Sequence, residues 1–284
     1  MATAYASAQF PAAGGSFIGR AAERARLTGL LTEAAGSAAA TVFVGGEAGV
    51  GKSRLLEEFA AEARSAGRTV LRGVCINLGT GAVPYAPLID ALRRIVRALG
   101  EQRVRELGGP SYAELSRLVS DFTGVAPLGE STAQLRVFGA VLRMLDHFGA
   151  HTPTVLIIED LHWANPSTLD LVSCSARAQT DERVLLVHSY RSNDLDRRHP
   201  LRTLLAEPDF IRRIHRLELA RFTRAELERF LTASAGGPVD RSLLDRYYEL
   251  SDGNRPGSRR YGCCVTSAWP NSPGPEAPPT PTPG

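Results

Sequence analysis

Lysine is almost absent from this chain of 284 residues, although basic residues are common. Lys and Arg together number 33, and Lys52 is the one lysine, so the other 32 (33 − 1) are arginines. Long apolar runs are also missing, since none approaches the roughly 20 residues that a membrane-spanning helix needs. Residues 1–13 lack the basic start and apolar centre of a signal peptide. We therefore predict no membrane association.

The chain also lacks a large excess of charge of one sign, and it has few cysteines. The net charge is only +3, and Asp and Glu are interspersed among the arginines, so no basic block indicates a nucleic-acid-binding arm. The cysteines follow no metal-ligand spacing; they are Cys75, Cys174, Cys263 and Cys264. This usage is typical of reduced thiols, and we predict a cytoplasmic protein.

The single lysine ends a glycine-rich segment that fits the pattern G-x-x-x-x-G-K-[ST]. Glycines let the backbone turn so that its N–H groups form a nest for phosphates, and the helix that follows adds partial positive charge. Lys52 supplies a charge for the β- and γ-phosphates, and Ser53 supplies a hydroxyl for Mg²⁺. We predict that ATP or ADP is bound with Mg²⁺ by Gly46, Glu47, Ala48, Gly49, Val50, Gly51, Lys52, Ser53 and Arg54.

Hydrophobic patterning predicts strands that alternate with helices. Continuous apolar runs are typical of parallel strands buried on both faces. The predicted strands are 41–44, 68–75, 155–158, 184–187 and 214–219. Together with the intervening helices they predict an α/β fold of the P-loop NTPase type, with a mainly parallel five-stranded sheet flanked by helices.

Composition predicts the domain boundaries. Residues 1–15 are predicted to be a disordered leader, 16–220 the α/β ATPase domain, and 221–254 a partial helical lid. Residues 255–284 hold 8 of the 18 prolines and have no periodicity, so we predict a disordered tail. Its composition is also that of a GC-rich gene read out of frame. This suggests a truncated or frameshifted chain, cut within its lid after Asn254, which an intact helix-coding segment in another frame would support.

Two acids end the apolar run 155–158, where a parallel strand delivers its side chains to the carboxyl edge of the sheet. We assign Glu159 to the Mg²⁺ shell and Asp160 to positioning of a water molecule, although neighbouring strand residues point opposite ways and leave the register open. Arg191, after the next strand, is predicted to sense the γ-phosphate, with pairing to Asp194 as the alternative. His162 is either a base or, more in keeping with its position, a packing residue.

Several of these segments resemble the signal-transducing P-loop ATPases of the STAND group within the AAA+ class. The most similar group is the ATPase domain of large LuxR-type (MalT-like) transcriptional regulators. The matching segments are 17–23, 46–53, 83–88, 158–167, 190–192 and 250–254. The resemblance implies an ATP switch that is controlled by an unknown inducer or regulatory protein, and it leaves self-association open. It also implies that Gly19 and Arg20 lie near the base and Arg191 near the γ-phosphate.

The sequence departs from the family at two places. Asn165 stands where relatives usually have aspartate, and residues 255–258 replace a proline and an aromatic-rich helix. We predict a slowly hydrolysing, ATP-binding switch module of a LuxR-family regulator, without a DNA-binding domain in this chain. The alternatives are an ATPase module of a cyclase- or kinase-linked signalling protein, an autonomous AAA+ ATPase, a phosphotransferase and an inert fragment.

Overall fold

A parallel sheet organises most of the chain. The computed structural model describes residues 19–36, 39–77, 84–122, 131–178, 183–235 and 237–251, so the predicted leader and tail lie outside it. The strands are β1 (Ala40–Gly46), β2 (Thr69–Val74), β3 (Thr154–Glu159), β4 (Val184–Ser189) and β5 (His215–Leu219). Their order in the sheet is β2-β3-β4-β1-β5, and every neighbouring pair is parallel. The predicted α/β fold class, with a five-stranded parallel sheet, is confirmed.

Helices fill the connections between the strands. They are α1 (Ala21–Gly36), α2 (Lys52–Ser65), α3 (Ala86–Leu99), α4 (Glu101–Phe122), α5 (Ser131–His151), α6 (Pro166–Ala178), α7 (Pro200–Ala206), α8 (Pro208–Ile211), α9 (Arg224–Ala235) and α10 (Arg241–Ser251). Among the described residues, no helix combines the length and the apolar character that crossing a membrane requires.

The core lies on both faces of the sheet because the central strands carry apolar residues on both faces. Every residue of β3 and of β4 is buried. The Phe43 ring packs edge-on against Phe210, with centroids 5.6 Å apart, and lies 4.9 Å from the ring of His188. Full burial of an apolar side chain such as Phe43 contributes about 1.5–3 kcal/mol, so this packing stabilises β1 against β4 and α8.

Helix α3 covers the edge strand β2 at very short range. A Cβ added to Gly73 would lie 1.7 Å from the carbonyl oxygen of Pro87, so only glycine allows the helix to approach this closely. The turn before α3 places Tyr85 at a φ of 58°, in the left-handed region. The Tyr85 backbone N–H donates to Oγ1 of Thr168 in α6 at 3.2 Å, which ties the start of α3 to the start of α6.

The described residues fall into two compact units. The larger runs from Arg20 to Ala220, and the smaller contains Gly19 and the described residues from Arg221 onward. In the smaller unit, α9 and α10 bury an apolar cluster that includes Leu227 and Leu244. A capping box opens α9: the Thr223 N–H donates to Glu226 at 2.8 Å, and the Glu226 N–H donates to the Thr223 hydroxyl at 3.3 Å.

The strand order brings the carboxyl ends of β3, β4, β1 and β5 side by side. Neighbouring strands lie about 4.8 Å apart, so the ends of β1 and β3 are about 10 Å apart with β4 between them. The glycine-rich loop follows β1, the acidic pair closes β3, and Arg191 follows β4. This edge of the sheet therefore collects the predicted site residues from separate parts of the chain.

Candidate functional site

The loop from Gly46 to Ser53 has the backbone that its glycines allow. Gly46, Gly49 and Gly51 have φ values of 145°, 86° and 101°, which other residues rarely adopt. At Gly46 space is limiting too, since an added Cβ would lie 2.9 Å from the carbonyl oxygen of Leu219. Substitution of these glycines would therefore disturb the path of the loop.

Lys52 lies inside this loop rather than pointing into solvent. Its Nζ donates to the carbonyl oxygens of Gly46 at 2.6 Å and Glu47 at 2.7 Å, and the residue is 7% exposed. Burial lowers the pKa of its ammonium group from 10.5 to about 8, while the charge of Asp160 opposes that shift and the charge of Arg191 adds to it. The amine is therefore held at the loop, within electrostatic range of both residues.

The first turn of α2 suits an anion. Gly51 is its N-cap residue, and glycine has no side chain that could form a capping hydrogen bond with the first N–H groups. A Cβ on Gly51 would meet nothing within 4 Å, so space is open above the loop. Ser53, in the first turn, is exposed. These residues fit a phosphate group accompanied by a cation that binds a hydroxyl oxygen.

Two predicted binding residues use their side chains elsewhere. The Arg54 guanidinium pairs along α2 with Glu57 at 3.6 Å and Glu58 at 2.5 Å. The Arg20 guanidinium is buried, pairs with Glu23 at 3.0 Å, and donates to the carbonyl oxygens of Val50 at 3.4 Å and of Ala220. Arg20 therefore supports the loop through the Val50 carbonyl, and these contacts occupy its side chain.

The backbone around Arg20 is unusual in a second respect. Gly19 and Arg20 have φ values of 77° and 59°, so both adopt left-handed conformations in succession. For a residue with a Cβ, such as Arg20, this conformation is uncommon and is often associated with a functional constraint. Proximity of these two residues to a nucleotide base stays a prediction.

Glu159 is buried and paired with an arginine of the neighbouring strand. The Arg72 Nε donates to Glu159 Oε1 at 2.6 Å, and the carboxylate side chain is 3% exposed. A second carboxylate, Glu57 of α2, lies 3.6 Å from Arg72. Arg72 therefore holds the acid that was assigned to the Mg²⁺ shell, a contact that the sequence reasoning missed. A charged residue within an otherwise apolar strand was the available signal.

Asp160, directly after β3, is in a different environment. Its φ of 59° is left-handed, and its backbone N–H donates to the hydroxyl of Ser189 at the end of β4, at 3.2 Å. Burial raises the pKa of the Asp160 carboxyl, and the charges of Arg191 and Lys52 partly oppose that increase. Among the charges that act on Lys52, that of Asp160 has the largest effect. The strand order therefore places Asp160 at the same edge of the sheet as the loop lysine, within range of its charge.

Arg191 completes this cluster from the end of β4. Its guanidinium lies over the ring of Trp163, 4.9 Å from the centroid, and its NH1 is 3.3 Å from Oδ2 of Asp194. Pairing with Asp194, the alternative left open above, is thus present. Because Arg191 also lowers the pKa values of both Lys52 and Asp160, its charge acts within the same site.

His162 is enclosed between the two aspartates. Its side chain is fully buried, with Nδ1 3.9 Å from Asp160 and Nε2 3.6 Å from Asp194. Neither ring nitrogen has a hydrogen-bond partner among the residues that the structure describes. Burial, reinforced by the charge of Arg191, lowers its pKa to about 4, so the ring is neutral near pH 7. A neutral ring packed 4.7 Å from Trp163 fits the packing role better than that of a base.

A phosphate-binding loop with an enclosed lysine, facing an acid at the end of another parallel strand, defines the site of a P-loop nucleotide-binding protein. The sequence matches this class directly. Residues 16–187 match the AAA ATPase domain family, and the chain belongs to that family.

Individual relatives add little to this assignment. An uncharacterised protein of Rhizobium meliloti is 28% identical over 221 residues, which cover 69% of this chain but only 21% of that protein. Among solved structures, Aeropyrum pernix ORC2 in ADPNP and ADP complexes has a TM-score of 0.47 at 15% identity, covering 78% of this chain and 53% of that one. A STAND protein with a tetratricopeptide repeat sensor from Pyrococcus horikoshii has a TM-score of 0.42 at 12% identity, covering 87% of this chain and 30% of that one. Both scores lie below 0.5, so the family assignment rests on the sequence match.

Proposed function

We propose that this chain is an ATP-binding, slowly hydrolysing switch module of a LuxR-family transcriptional regulator. The observation that supports it best is the convergence of Lys52, Asp160 and Arg191, whose charges act on one another at the carboxyl edge of the sheet. ATP and ADP are the proposed ligands, an unknown inducer or regulatory protein is the proposed partner, and a cytoplasmic location is part of the proposal. The proposal leaves self-association of the module open.

In this proposal the loop and its lysine hold the phosphates. The N–H groups at the start of α2 and the Lys52 ammonium bind the β- and γ-phosphate oxygens. Ser53 and Glu159 would hold Mg²⁺, which would supply neutralising charge at those oxygens. For Glu159 to do so, its carboxylate has to be shared with Arg72 or released from it.

Asp160 and Arg191 act on the reacting groups. Asp160 orients a water molecule and accepts its proton as the water oxygen bonds to the γ-phosphorus. The bond from that phosphorus to the β–γ bridging oxygen breaks, giving ADP and inorganic phosphate. A carboxylate with a raised pKa is a better base than an ordinary one, and burial raises the pKa of Asp160. Arg191 contributes a cation beside the γ-phosphate, so its interactions differ between ATP and ADP.

The test is nucleotide binding and turnover of the full chain with and without Lys52→Ala. Loss of a preorganised charged contact to the transferred phosphate is expected to cost about 3–4 kcal/mol in the barrier to hydrolysis. Arg103→Ala is a matched control, because it removes a cation from an exposed pair with Glu106 on α4. Unchanged binding and turnover in the Lys52 variant would contradict the proposal.

An autonomous AAA+ ATPase would use the same residues. The two functions differ in what controls turnover, because a self-assembling ATPase gains activity when a neighbouring copy supplies an arginine. Specific activity that rises with protein concentration, without any inducer, would favour the autonomous ATPase. Turnover that stays low at all concentrations would favour the switch.

A further inference from the structure

A carboxylate on β5 reaches across the adjacent strand to the segment that carries Arg191. In the register of β1 with β5, Gly45 is paired with Glu218. On the other side of β1, the Tyr190 N–H donates to the Val44 carbonyl at 3.1 Å, directly continuing the ladder of β1 with β4. Tyr190, Gly45 and Glu218 therefore stand in one row across the carboxyl ends of three neighbouring strands.

Gly45 lets the two side chains meet. A Cβ at this position would lie 1.9 Å from Glu218 Oε2 and 2.7 Å from the Tyr190 hydroxyl oxygen. Unlike Gly46, which has a φ of 145°, Gly45 does not have a positive φ. Its backbone would accept other residues, so the space taken by the Glu218 side chain is what requires glycine here.

The Glu218 carboxylate binds the residues on both sides of Arg191. Its Oε2 accepts a hydrogen bond from the Tyr190 hydroxyl at 3.4 Å, and its Oε1 accepts one from the Ser192 hydroxyl. Burial, followed by the Glu218 charge, raises the pKa of Tyr190 to about 12, so this phenol remains a donor at neutral pH. The arginine between these anchors lies on Trp163.

We propose that Glu218 is a positioning residue for Arg191. By fixing Tyr190 and Ser192, it sets the direction in which the Arg191 guanidinium leaves β4 and so its reach toward the γ-phosphate. This inference rests on the proposed function, in which Arg191 distinguishes ATP from ADP. The charge of Glu218 also acts on Lys52, which places the carboxylate within electrostatic range of the phosphate-binding loop.

The test compares the affinities of the full chain for ADP and for a non-hydrolysable ATP analogue, each with Mg²⁺, by calorimetry. We expect Glu218→Ala to lower the preference for the triphosphate about tenfold while ADP binding is retained, the change that loss of a hydrogen bond to a charged group can produce. In an Arg191→Ala background, Glu218→Ala should have no further effect on that preference, because it acts through Arg191. If Glu218 has a merely structural role, Glu218→Ala should weaken the binding of both nucleotides alike.

Two further variants sharpen the test. Gly45→Ala should reproduce the loss of preference, because its Cβ would take the space of the Glu218 carboxylate and of the Tyr190 hydroxyl. Glu101→Ala is the matched control, because it removes an exposed carboxylate that pairs with Arg105 on α4 at 2.8 Å. We expect that control to keep the wild-type preference.

The outcomes separate this inference from the proposed function. If the wild-type chain has no preference for the triphosphate, or if Lys52→Ala binds both nucleotides normally, the proposed function fails. If Arg191→Ala loses the preference while Glu218→Ala keeps it, the role of Glu218 is overturned and the proposed function stands. Should Glu218→Ala fail to fold, Glu218→Gln and Ser192→Ala each remove one contact, and full preference in both would overturn the inference.

Discussion

Binding of a nucleoside triphosphate should draw a proton onto Lys52. The amine is enclosed by the carbonyl oxygens of Gly46 and Glu47, and burial lowers its pKa from 10.5 to about 8. A neighbouring phosphate favours the charged amine, so the pKa of Lys52 rises again in the complex. Between pH 7 and 9 the complex therefore binds more protons than the free protein does.

The size of the effect follows from that pKa. In the free protein about 0.1 of the Lys52 amines are uncharged at pH 7, about 0.5 at pH 8 and about 0.9 at pH 9. If only the ammonium form binds tightly, the dissociation constant for ATP rises about tenfold from pH 7 to pH 9, or about 1.4 kcal/mol. The effect on stability has the opposite sign. Because the folded pKa lies below the unfolded value, the unfolded chain binds more protons between about pH 8 and 10.5, and the contribution of this group to stability rises with pH there.

Calorimetry at pH 8 in two buffers of different ionisation enthalpy measures the protons taken up per nucleotide. At nucleotide concentrations that saturate both chains, we expect the wild-type chain to take up about half a proton more than Lys52→Ala, because any contribution from the nucleotide itself is common to both. The shifted pKa values of His162, about 4, and Tyr190, about 12, lie outside the range used. Equal uptake by both chains would refute the reasoning, as would no uptake by the wild type.

Three further perturbations test the packing and the acids. Arg72→Met leaves the buried Glu159 carboxylate unpaired and should lower the free energy of unfolding in urea by about 3 kcal/mol, with much of the loss recovered when Glu159→Gln is added. If adding Glu159→Gln restores no stability, the unpaired Glu159 carboxylate is not the cause of the loss. Asp160→Asn should abolish release of inorganic phosphate yet retain ATP binding, and normal turnover would remove Asp160 from the mechanism. Gly73→Ala, whose Cβ would meet the Pro87 carbonyl at 1.7 Å, should lower the melting temperature by several degrees, and an unchanged value would contradict the close approach of α3.

The sheet could be predicted because its central strands are apolar on both faces. The runs 155–158 and 184–187 were recognised as buried strands, and β3 and β4 contain them. Both strands extend further than the apolar runs do. The ladder continues to polar residues, Glu159 and Ser189, because backbone hydrogen bonds do not depend on side-chain polarity. The strand ends that carry the site were therefore the part that patterning could not define.

The sequence pattern predicts only the second half of α4. The apolar spacing of residues 111–119 predicts a helix there, whereas α4 begins at Glu101, with an interruption at Gly109 where φ is 58° and Pro110 follows. Adjacent glycine and proline disfavour a helix locally, and this concealed the preceding turns. Burial of Val104 and Leu107 in the core outweighs that local preference, and such tertiary contacts are absent from a local pattern.

The phosphate-binding loop could be predicted because its residues are adjacent in the chain, whereas the contacts that support it join distant segments. Arg72 and Glu159 are 87 residues apart, and Glu218 meets Tyr190 across a strand that precedes both. These pairs depend on the strand order β2-β3-β4-β1-β5. The apolar runs indicate which segments are strands but not which strand lies next to which.

The two acids at the end of β3 show how adjacent residues come to serve different purposes. Glu159, the last residue of the strand, meets Arg72 from β2 on one side and is held as a fixed, paired charge. Asp160 leaves the strand in a left-handed conformation, and its N–H binds Ser189 of β4 on the other side. Its carboxyl is partly buried and its pKa is raised, while the cations that act on it come from the phosphate-binding loop and from Arg191. A general base needs a proton affinity above that of an ordinary carboxylate and a place beside the reacting phosphate. Of the two acids, Asp160 therefore fits the proposed role of general base, and Glu159 fits the proposed role of cation ligand once Arg72 shares its carboxylate.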